Sequence, residues 1–367
     1  MATIKKLTIL GYKSIKELKD FQLSPRLNIL IGANGAGKSN FISYFRFLNA
    51  IINERMQLTT NKLGGADKIF YNGIKNTKHF SSQVYFADNG YFFDLTPGDS
   101  GRLLFEKEQI YFDGPNYGVS KSKIGSGNEE TKLTSFKGQG WEHKAVYSFI
   151  TPALKSWIIY HFHDTSDTAS VKQFCEINNN IVLESDAGNL AAFLYRLRSE
   201  KPVHYKSILK ATQRIAPFLK DFILRPNPLR KSTIQFEWQG KESDQPFTAS
   251  QLSDGTIRFI CLATVLLQPE PPKTIIIDEP ELGLHPYALS VLGSLLRSTS
   301  SRCQIILSTQ SVQLVNEFEP EDIVVVDREN GQSTFKKLSD QNLKEWLDNY
   351  SMGELWEKNV FGGRPTE

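Results

Sequence analysis

A glycine-rich segment of eight residues, Gly32 to Ser39, constrains the fold of this chain more than any other stretch. Its sequence, GANGAGKS, fits the pattern G-x-x-x-x-G-K-[ST]. The apolar run Leu27–Ile31 precedes it, and apolar residues recur with helical spacing from Phe41 to Ile52 after it. A strand, a glycine-rich loop and a helix in this order form the context that a phosphate-binding loop, or P-loop, requires. The sequence therefore predicts an α/β fold built around a P-loop.

The same segment predicts how a bound nucleotide is held. Its glycines let backbone N–H groups approach the phosphates, and the N-terminus of the following helix adds a partial positive charge. We expect Lys38 to reach the β- and γ-phosphates and the Ser39 hydroxyl to bind Mg²⁺, so the expected cofactors are ATP and Mg²⁺. The predicted nucleotide-binding residues of this region are Asn34, Gly35, Gly37, Lys38, Ser39 and Asn40.

A second segment ends a buried strand with two carboxylates. Three isoleucines precede Asp278 and Glu279, so both side chains should emerge at the carboxyl edge of the sheet, where ligands bind in open α/β folds. We expect Asp278 to bind Mg²⁺ and Glu279 to orient and deprotonate the attacking water. The alternative is an exposed acidic turn, which the sequence Asp-Glu-Pro-Glu also permits.

A third segment is the pentapeptide Leu252-Ser253-Asp254-Gly255-Thr256, which lies 25 residues before the acidic pair. The apolar stretch that follows it, ending at Leu267, predicts a helix that begins near Thr256. A helix N-terminus favours a nearby anion. Such pentapeptides are also common at ordinary helix caps. The prediction that this one contacts a bound anion therefore depends mainly on its spacing to the acidic pair.

Together, the P-loop, the pentapeptide and the run IIIDEPELGLHP resemble the ATP-binding-cassette (ABC) ATPases, in the branch that contains RecF, SMC heads and the OLD-type ATPases. The resemblance spans nearly the whole chain. Gly11–Ile15, Gly188–Leu190 and Trp356–Pro365 look like one bacterial group of compact ATPases without a coiled coil. It implies an α/β P-loop fold of ABC-ATPase head architecture, with an appended antiparallel β region and a helical lobe that carries the pentapeptide.

In that superfamily, two heads enclose two ATP molecules, each held by the P-loop of one subunit and the signature pentapeptide of the other. The resemblance therefore implies a homodimer in which Ser253 and Gly255 contact the γ-phosphate across the interface, and Glu281–His285 cross it. Lys13 is similar to a residue that reaches the phosphates in resembling heads, although a solvated lysine is equally compatible with its position.

One residue departs from the pattern of many relatives. They carry a histidine after the strand beyond the catalytic glutamate, whereas this chain has Gln310 in the sequence LSTQS. A glutamine can hydrogen-bond the γ-phosphate or the water but cannot carry a positive charge. The predicted catalytic residues are thus Glu279, Gln310 and Lys38, with turnover slower than the range of about 1–100 s⁻¹ of kinases. The glutamine that senses Mg²⁺ in relatives is not fixed by the sequence; its candidates are Gln83, Gln139 and Gln173.

The pattern of the remaining sequence divides the chain into segments. We expect the nucleotide-binding core from residues 1–53 and 273–337, antiparallel hairpins over 80–113 and a surface loop over 114–140. Asn89-Gly90 reads as one of the hairpin turns. The helical lobe covers 151–267, with helices over Leu190–Arg198 and Val203–Leu219, and a tail covers 338–367.

Composition limits the classes of protein that remain. The formal net charge of +3 is too small to argue for nucleic acid. Three cysteines without a C-x-x-C pair fit a reducing cytosol and no structural zinc. The longest apolar run, near Phe259–Leu267, is half of the roughly 20 residues that a membrane-spanning helix needs. We expect a cytoplasmic protein that does not bind a membrane.

Three weaker signals stay open at this stage. His161 and His163 would share one strand face, as a metal pair does, but no third ligand has suitable spacing, so we favour a structural or interfacial role. Aromatic residues from Trp346 to Phe361 either dock a partner or pin the tail to the body. A basic segment contains one acidic residue, Asp221, and is compatible with nucleic acid, an acidic partner or a solvated face. Its members are Lys201, Lys206, Lys210, Arg214, Lys220, Arg225, Arg230 and Lys231.

These observations lead to one preferred function and two rivals. The preferred function is an ATP-driven switch for a separately encoded effector. Related groups are often encoded beside a TOPRIM-like protein in phage defence, so such a nuclease is the candidate partner. The first rival is a RecF-like repair ATPase that clamps DNA directly. The second is an ATP-locked scaffold that dimerises with little turnover.

Overall fold

The structure is a computed structural model that describes residues 3–114, 118–138, 140–338, 343–347 and 349–363. The strands in these ranges are β1 (Lys6–Tyr12), β2 (Ile15–Gln22), β3 (Leu27–Ile31), β4 (Phe80–Phe86), β5 (Asn89–Pro97), β6 (Leu103–Gly114), β7 (Gly118–Gly125), β8 (Trp157–Tyr160), β9 (Cys175–Glu176), β10 (Leu219–Ile223), β11 (Thr233–Ile234), β12 (Glu237–Gly240), β13 (Pro246–Thr248), β14 (Thr274–Asp278), β15 (Gln304–Ser308), β16 (Ile323–Glu329) and β17 (Gln332–Lys337). The α-helices are α1 (Lys38–Ile52), α2 (Met56–Lys62), α3 (Gly73–Asn76), α4 (Trp141–Lys144), α5 (Thr151–Lys155), α6 (Leu190–Glu200), α7 (Pro202–Ile215), α8 (Asp254–Leu267), α9 (Pro286–Thr299), α10 (Val312–Val315), α11 (Lys344–Leu347) and α12 (Met352–Glu357). A π-helical stretch, Ala145–Ile150, joins α4 to α5.

The core sheet has the strand order β17-β16-β3-β15-β14-β8, in which all neighbours are parallel except β16 and β17. Every residue of β3, β14 and β15 is buried, as their nearly continuous apolar sequences predict for strands covered on both faces. The carboxyl ends of parallel strands meet at one edge, so the residues after β3, β15 and β14 lie side by side. The predicted alternation of strands and helices is confirmed.

A second sheet, with the order β2-β1-β4-β5-β6-β7, is antiparallel and confirms the predicted hairpins. The position of one turn was wrong. Ala87, with φ of 48°, and Asp88 form the turn, whereas Asn89 and Gly90 begin β5. A Cβ atom on Gly90 would lie 2.9 Å from the Phe92 ring, so this glycine makes room for a neighbouring side chain within the strand.

The surface loop expected over residues 114–140 contains a strand, which corrects that prediction. Gly118–Gly125 forms β7 and pairs with β6 at the edge of the antiparallel sheet. Its side chains show no apolar periodicity, because Lys121 and Lys123 are exposed and no residue of the strand is fully buried. Lysines on an edge strand oppose pairing with another chain. They also replace the apolar residues whose alternation would have predicted a strand here. Gln139 lies outside the described residues.

Helix α1 lies between the two sheets and packs its aromatic face against both. The opposite face of the core sheet is covered by the lobe that contains α6, α7 and α8, together with the small sheet β10-β12-β13. The sheets do not follow the predicted segments: β1 and β2 belong to the antiparallel sheet, and β8 belongs to the core sheet. Helix α7 ends at Ile215, and Leu219 begins β10, so the helix expected up to Leu219 is too long. None of the described helices has the length and apolar composition needed to cross a bilayer.

A buried amide at the start of β15 holds the N-terminal segment onto the core sheet. The Gln304 side chain is fully buried. Its Oε1 accepts hydrogen bonds from the Ile4 N–H at 3.0 Å and the Thr274 hydroxyl at 3.2 Å. Its Nε2 donates to the carbonyl oxygens of Ile4 at 2.9 Å and Ser24 at 2.7 Å. One side chain therefore satisfies both backbone polar groups of the buried Ile4 and the carbonyl of the half-buried Ser24.

We predict that Gln304→Met lowers the free energy of unfolding by about 2–4 kcal/mol, because it leaves buried backbone groups without partners. Urea denaturation measures this change. Gln313→Met is the matched control, since the exposed Gln313 amide makes a single bond to the Pro286 carbonyl. Equal stability losses in the two variants would contradict the role assigned to Gln304.

Candidate active site

The P-loop is held in its shape by close contacts that only glycine permits. Gly32 and Gly37 have φ of 156° and 119°. A Cβ atom on Gly32 would lie 2.1 Å from the Val326 carbonyl oxygen, and one on Gly37 would lie 2.0 Å from Ser333 Oγ. The loop is thus pressed against β16 and β17. Gly35, with φ of 79°, is exposed with open space around it, so the middle of the loop faces outward.

Lys38, at the start of α1, is buried and points back into the loop. Its Nζ donates to the carbonyl oxygens of Gly32 at 2.7 Å and Ala33 at 3.1 Å. Burial lowers the pKa of Lys38, and the nearby carboxylates of Glu279, Glu281 and Asp278 oppose this shift. The ammonium group is therefore within electrostatic range of the acidic residues that follow β14.

The residues on either side of Lys38 in the motif differ in what they contact. Ser39 is exposed in the first turn of α1, where its hydroxyl has access to a ligand, and Asn34 is exposed in the loop. Asn40 instead donates from Nδ2 to Ser14 Oγ at 2.7 Å. Ser14 also accepts from Ser333, whose hydroxyl contacts the Ala36 carbonyl. The predicted ligand Asn40 is thus tied to the turn between β1 and β2, together with the end of the loop.

The two predicted catalytic carboxylates emerge where β14 ends. Asp278 is buried, and its Oδ1 accepts a hydrogen bond from the Ser308 hydroxyl. The N–H of Glu279 donates to the Ser308 carbonyl oxygen at 3.0 Å. Glu279 has φ of 45°, a left-handed conformation that costs energy for a residue with a Cβ atom. Ser308 on β15 therefore holds both residues in place.

Gln310 follows β15 and lies between the P-loop strand and the acidic residues. Its Nε2 donates to Glu279 Oε1, and its backbone N–H donates to Glu281 Oε1 at 2.6 Å. Burial raises the pKa of Glu281. The structure thus brings Gln310 into direct contact with Glu279.

Two histidines that the sequence did not assign to the site border it. They follow β8, which pairs with β14. His163 donates from Nε2 to the Asp278 carbonyl oxygen at 3.0 Å, and its ring centroid lies 4.2 Å from that of His161. His161 Nδ1 accepts from Arg46, 3.2 Å away, and the Arg46 guanidinium lies 3.8 Å from Asp278 Oδ2. Burial, Arg46 and His163 together lower the pKa of His161.

The position of β8 beside β14 is what sequence reasoning lacked. The apolar sequence Trp157–Tyr160 is a signal for a strand, but it does not identify β14 as the neighbouring strand. The described side chains contain no group of three or more His, Cys, Asp or Glu arranged to hold a metal ion by themselves. The histidine pair therefore lies at the edge of the site but forms no separate metal centre among the residues described.

The remaining predicted residues lie farther from the acidic pair. Lys13, with φ of 48°, donates from Nζ to Ser43 Oγ at 3.0 Å, and burial beside Arg46 lowers its pKa. It therefore lies along α1. Gln83 accepts a bond from the Tyr85 hydroxyl in β4, and Gln173 donates to the Asp167 carbonyl. Neither glutamine contacts the acidic residues, and the Mg²⁺-sensing glutamine stays unassigned.

The pentapeptide forms the exposed N-terminus of α8. Ser253 caps the helix by accepting the Thr256 N–H at 3.2 Å. Gly255 packs on the segment after the acidic pair, because a Cβ atom there would lie 2.2 Å from the Gly283 carbonyl oxygen. Within the described part of the chain, no hydrogen bond or ion pair joins the pentapeptide to the P-loop. Ser253 itself is exposed, and its hydroxyl also hydrogen-bonds the Thr256 hydroxyl at 2.8 Å.

Buried cationic side chains tie α8 to the loops around the acidic pair. Arg258 is buried and donates from Nε to the Phe162 carbonyl at 2.8 Å. Its other nitrogens donate to the carbonyls of His163 at 3.3 Å and Leu282. Lys172 Nζ lies 3.9 Å from the Asp254 carboxylate in the pentapeptide. The helix that begins with the pentapeptide is thus attached to both loops beside Asp278.

A family model described as "AAA domain, putative AbiEii toxin, Type IV TA system" matches residues 27–316. This range includes the P-loop, the pentapeptide, the acidic pair and Gln310. Because the match covers most of the chain, the protein belongs to this family, whose fold is that of P-loop ATPases. No curated protein sequence matches the chain significantly.

Solved structures of SMC heads share the fold. The SMC head bound to the C-terminal winged-helix domain of ScpA has a TM-score of 0.57 and 17% identity, covering 93% of this chain and 99% of that one. The Smc head domain with an extended coiled coil, bound to the C-terminal domain of ScpA and derived from Pyrococcus furiosus, has a TM-score of 0.53 and 16% identity. It covers 95% of this chain and 99% of that one. The predicted ABC-ATPase head architecture is therefore confirmed.

We predict that Arg258→Met lowers the free energy of unfolding by about 2–4 kcal/mol, since it leaves buried carbonyl groups unpaired. Arg258→Lys should restore little, because an ammonium cannot reach three carbonyls in the fork geometry of a guanidinium. Hydrogen exchange of residues 253–258, together with urea denaturation, measures both effects. Arg297→Met, which removes an arginine that is partly exposed and paired with Glu317, is the control. Unchanged exchange at the pentapeptide in Arg258→Met would refute the attachment.

Proposed function

We propose that this member of the AAA family is an ATP-binding and ATP-hydrolysing head that dimerises on ATP and switches a separately encoded effector. The observation that carries the proposal is the division of the site. Lys38, Glu279 and Gln310 lie together at one edge of the core sheet, whereas the exposed Ser253 makes no contact with the P-loop of its own chain. A second copy of the chain would supply the missing half in each direction.

The donor groups at the edge of the core sheet fit ATP and Mg²⁺. Glycines with positive φ shape the loop, a buried lysine lies at its base, and the Ser39 hydroxyl and Asp278 carboxylate are oxygen ligands that suit Mg²⁺. Mg²⁺ is typically held by one or two protein oxygens plus substrate phosphates, which agrees with the small number of carboxylates here. When bound, Mg²⁺ would neutralise charge on the phosphates.

The residues of this chain would then position and activate water. Glu279 would accept a proton from the water, because its carboxylate emerges at the sheet edge and is held by Gln310. Gln310 would orient the same water through its amide, while Lys38 supplies positive charge at the phosphates. Gln310 remains neutral and adds no charge in the transition state, so we propose slow turnover.

The switch is the part of the proposal that reaches beyond catalysis. The description of the matched family names a putative toxin of a Type IV toxin–antitoxin system, which supports a role in defence. A TOPRIM-like nuclease in phage defence is the candidate effector. The segment after the acidic pair would cross the dimer interface, since Leu282 is 44% exposed and Gly255 of the pentapeptide packs on Gly283. Closure of the dimer would therefore move α8 together with the segment Glu281–His285.

We predict that Glu279→Gln abolishes hydrolysis and accumulates an ATP-dependent dimer, because it removes the base but leaves the phosphate contacts in place. Lys38→Ala should stay monomeric at the same ATP concentration. Light scattering after size exclusion, with and without ATP, measures the assembly. A wild-type dimer that forms on ATP without turnover would instead indicate an ATP-locked scaffold. A Glu279→Gln variant that stays monomeric with ATP would refute the proposal.

Mixing two inactive variants tests whether the site is shared between subunits. Lys38→Ala and Ser253→Arg each damage a different half of the site. A heterodimer of the two variants keeps one intact site of two, so activity should reappear in the mixture, up to about a quarter of the wild-type rate if the two chains pair at random. If Ser253 acted on the nucleotide of its own chain, the mixture would remain as inactive as its components.

A second candidate function is direct binding of nucleic acid. Every lysine and arginine of the basic segment from Lys201 to Lys231 is exposed, and Arg225 alone among them has an ion-pair partner in the described residues, Glu237. Lys206, Lys210 and Arg214 repeat every fourth residue on α7 and share one face. This arrangement supports a RecF-like role or an acidic partner.

We predict that replacing Lys206, Lys210 and Arg214 with glutamine flattens the salt dependence of DNA binding. The slope of log K against log salt should fall by up to about 2.7, which is about 0.9 for each lost phosphate contact. The control replaces three exposed lysines elsewhere, Lys16, Lys62 and Lys107, and keeps the same net charge. Equal slopes in the two triple variants would remove the α7 face from consideration.

A further inference from the structure

The final described part of the chain reaches the beginning of the P-loop. We name residues Ser351–Gly363 the C-terminal strap. Gly363 donates from its N–H to Asp327 Oδ2 at 2.8 Å. A Cβ atom on Gly363 would lie 3.0 Å from Val325 Cγ1 and 3.5 Å from the Cα atom of Gly32. The strap therefore packs directly on the first glycine of the nucleotide-binding loop.

The end of the strap is held there by glycines and by a tryptophan. Gly362 and Gly363 have φ of 88° and 86°, a region in which residues with a Cβ atom are strained. Trp356 is buried, and its Nε1–H donates to the Gly363 carbonyl at 3.3 Å. Phe361 packs on the core beside it. Trp356 and Phe361 thus pin the tail to the body, one of the two roles left open by the sequence.

The beginning of the strap contacts the other side of the site. Helix α12 packs on α10, which starts immediately after Gln310 and is capped by Ser311. Gly353 donates from its N–H to Asn316 Oδ1 at 2.6 Å. A Cβ atom on Gly353 would lie 2.7 Å from the Val312 carbonyl oxygen, so α12 sits against the α10 backbone. The strap spans from the segment after Gln310 to Gly32.

We infer that the C-terminal strap is a positioning element of the nucleotide site. It fixes the position of Gly32 relative to the segment that follows Gln310. The P-loop and the Gln310 amide would then contact the same phosphate group. This inference rests on the proposed function of the site. It adds that the affinity for nucleotide depends on a segment that lies outside the P-loop, the pentapeptide and the acidic pair.

Thermodynamic reciprocity gives this role a signature that simple anchoring lacks. If the docked strap favours nucleotide binding, bound nucleotide must favour the docked strap by the same factor. Mg·ATP should therefore slow hydrogen exchange in residues 352–363 of the wild-type protein. Bound ligand also stabilises the native state as a whole, so a strap that only covers the core would slow no more than a peripheral segment such as the edge strand β7.

Gly363→Ala is the decisive variant, because its Cβ atom would meet Val325 and Trp356 and its φ is unfavourable for alanine. We expect it to weaken Mg·ATP binding about tenfold, within the usual range of coupling between sites. Trp356→Phe should weaken binding less, since it keeps the ring and loses the Nε1–H donor. Trp346→Ala, at a tryptophan that is 46% exposed, should leave binding unchanged. Titration calorimetry gives the dissociation constants, and thermal unfolding without nucleotide reports on stability.

The outcomes separate this inference from the proposed function. Wild-type protein that does not bind Mg·ATP would overturn both. Wild-type protein that binds Mg·ATP, with an unchanged dissociation constant in Gly363→Ala and no more slowing of exchange in the strap than in β7, would overturn the strap alone. If Gly363→Ala lowers the unfolding temperature, the exchange measurement on the wild-type protein still decides, because it requires no substitution.

Discussion

The arrangement of the site depends on the parallel pairing of β15 with β3 on one side and β14 on the other. This pairing brings the P-loop, Gln310 and the acidic pair to one edge of the sheet, although the three segments are far apart in the sequence. Ser308 shows how closely the register controls the chemistry, because its hydroxyl contacts Asp278 and its carbonyl accepts the Glu279 N–H. A shift of β15 by one residue would turn its buried side chains to the other face and remove these bonds.

The parts of this arrangement that the sequence predicted are those in which local pattern and chemistry coincide. The strand, glycine-rich loop and α1 follow from the run before Gly32 and the helical spacing after it. Glu279 and Gln310 each follow a short apolar strand, and parallel strands bring such residues together. The roles of these residues remain predictions, whereas their proximity is now described by direct contacts.

The parts that the sequence did not predict depend on long-range packing. Strand β7 was missed because Lys121 and Lys123 interrupt any alternation of apolar residues. A strand at the edge of a sheet does not require that alternation. The sequence did not place His161 at the site, because nothing local identifies β8 as the neighbour of β14. Arg258 lies within the apolar stretch of α8, and the carbonyl groups that it contacts come from loops far away in sequence.

The proposed slow turnover follows from the electrostatics around Gln310, which is neutral. Its amide contacts Glu279, and its backbone N–H contacts Glu281, so neither carboxylate gains a cationic partner there. A charged residue at this position would pair with Glu279 and lower its basicity, whereas an amide keeps the base available but adds no charge at the phosphates. In the proposed dimer, much of the stabilisation would then come from the subunit that brings Ser253. The energy of closing two heads, rather than the chemistry within one, would limit the cycle, as a switch requires.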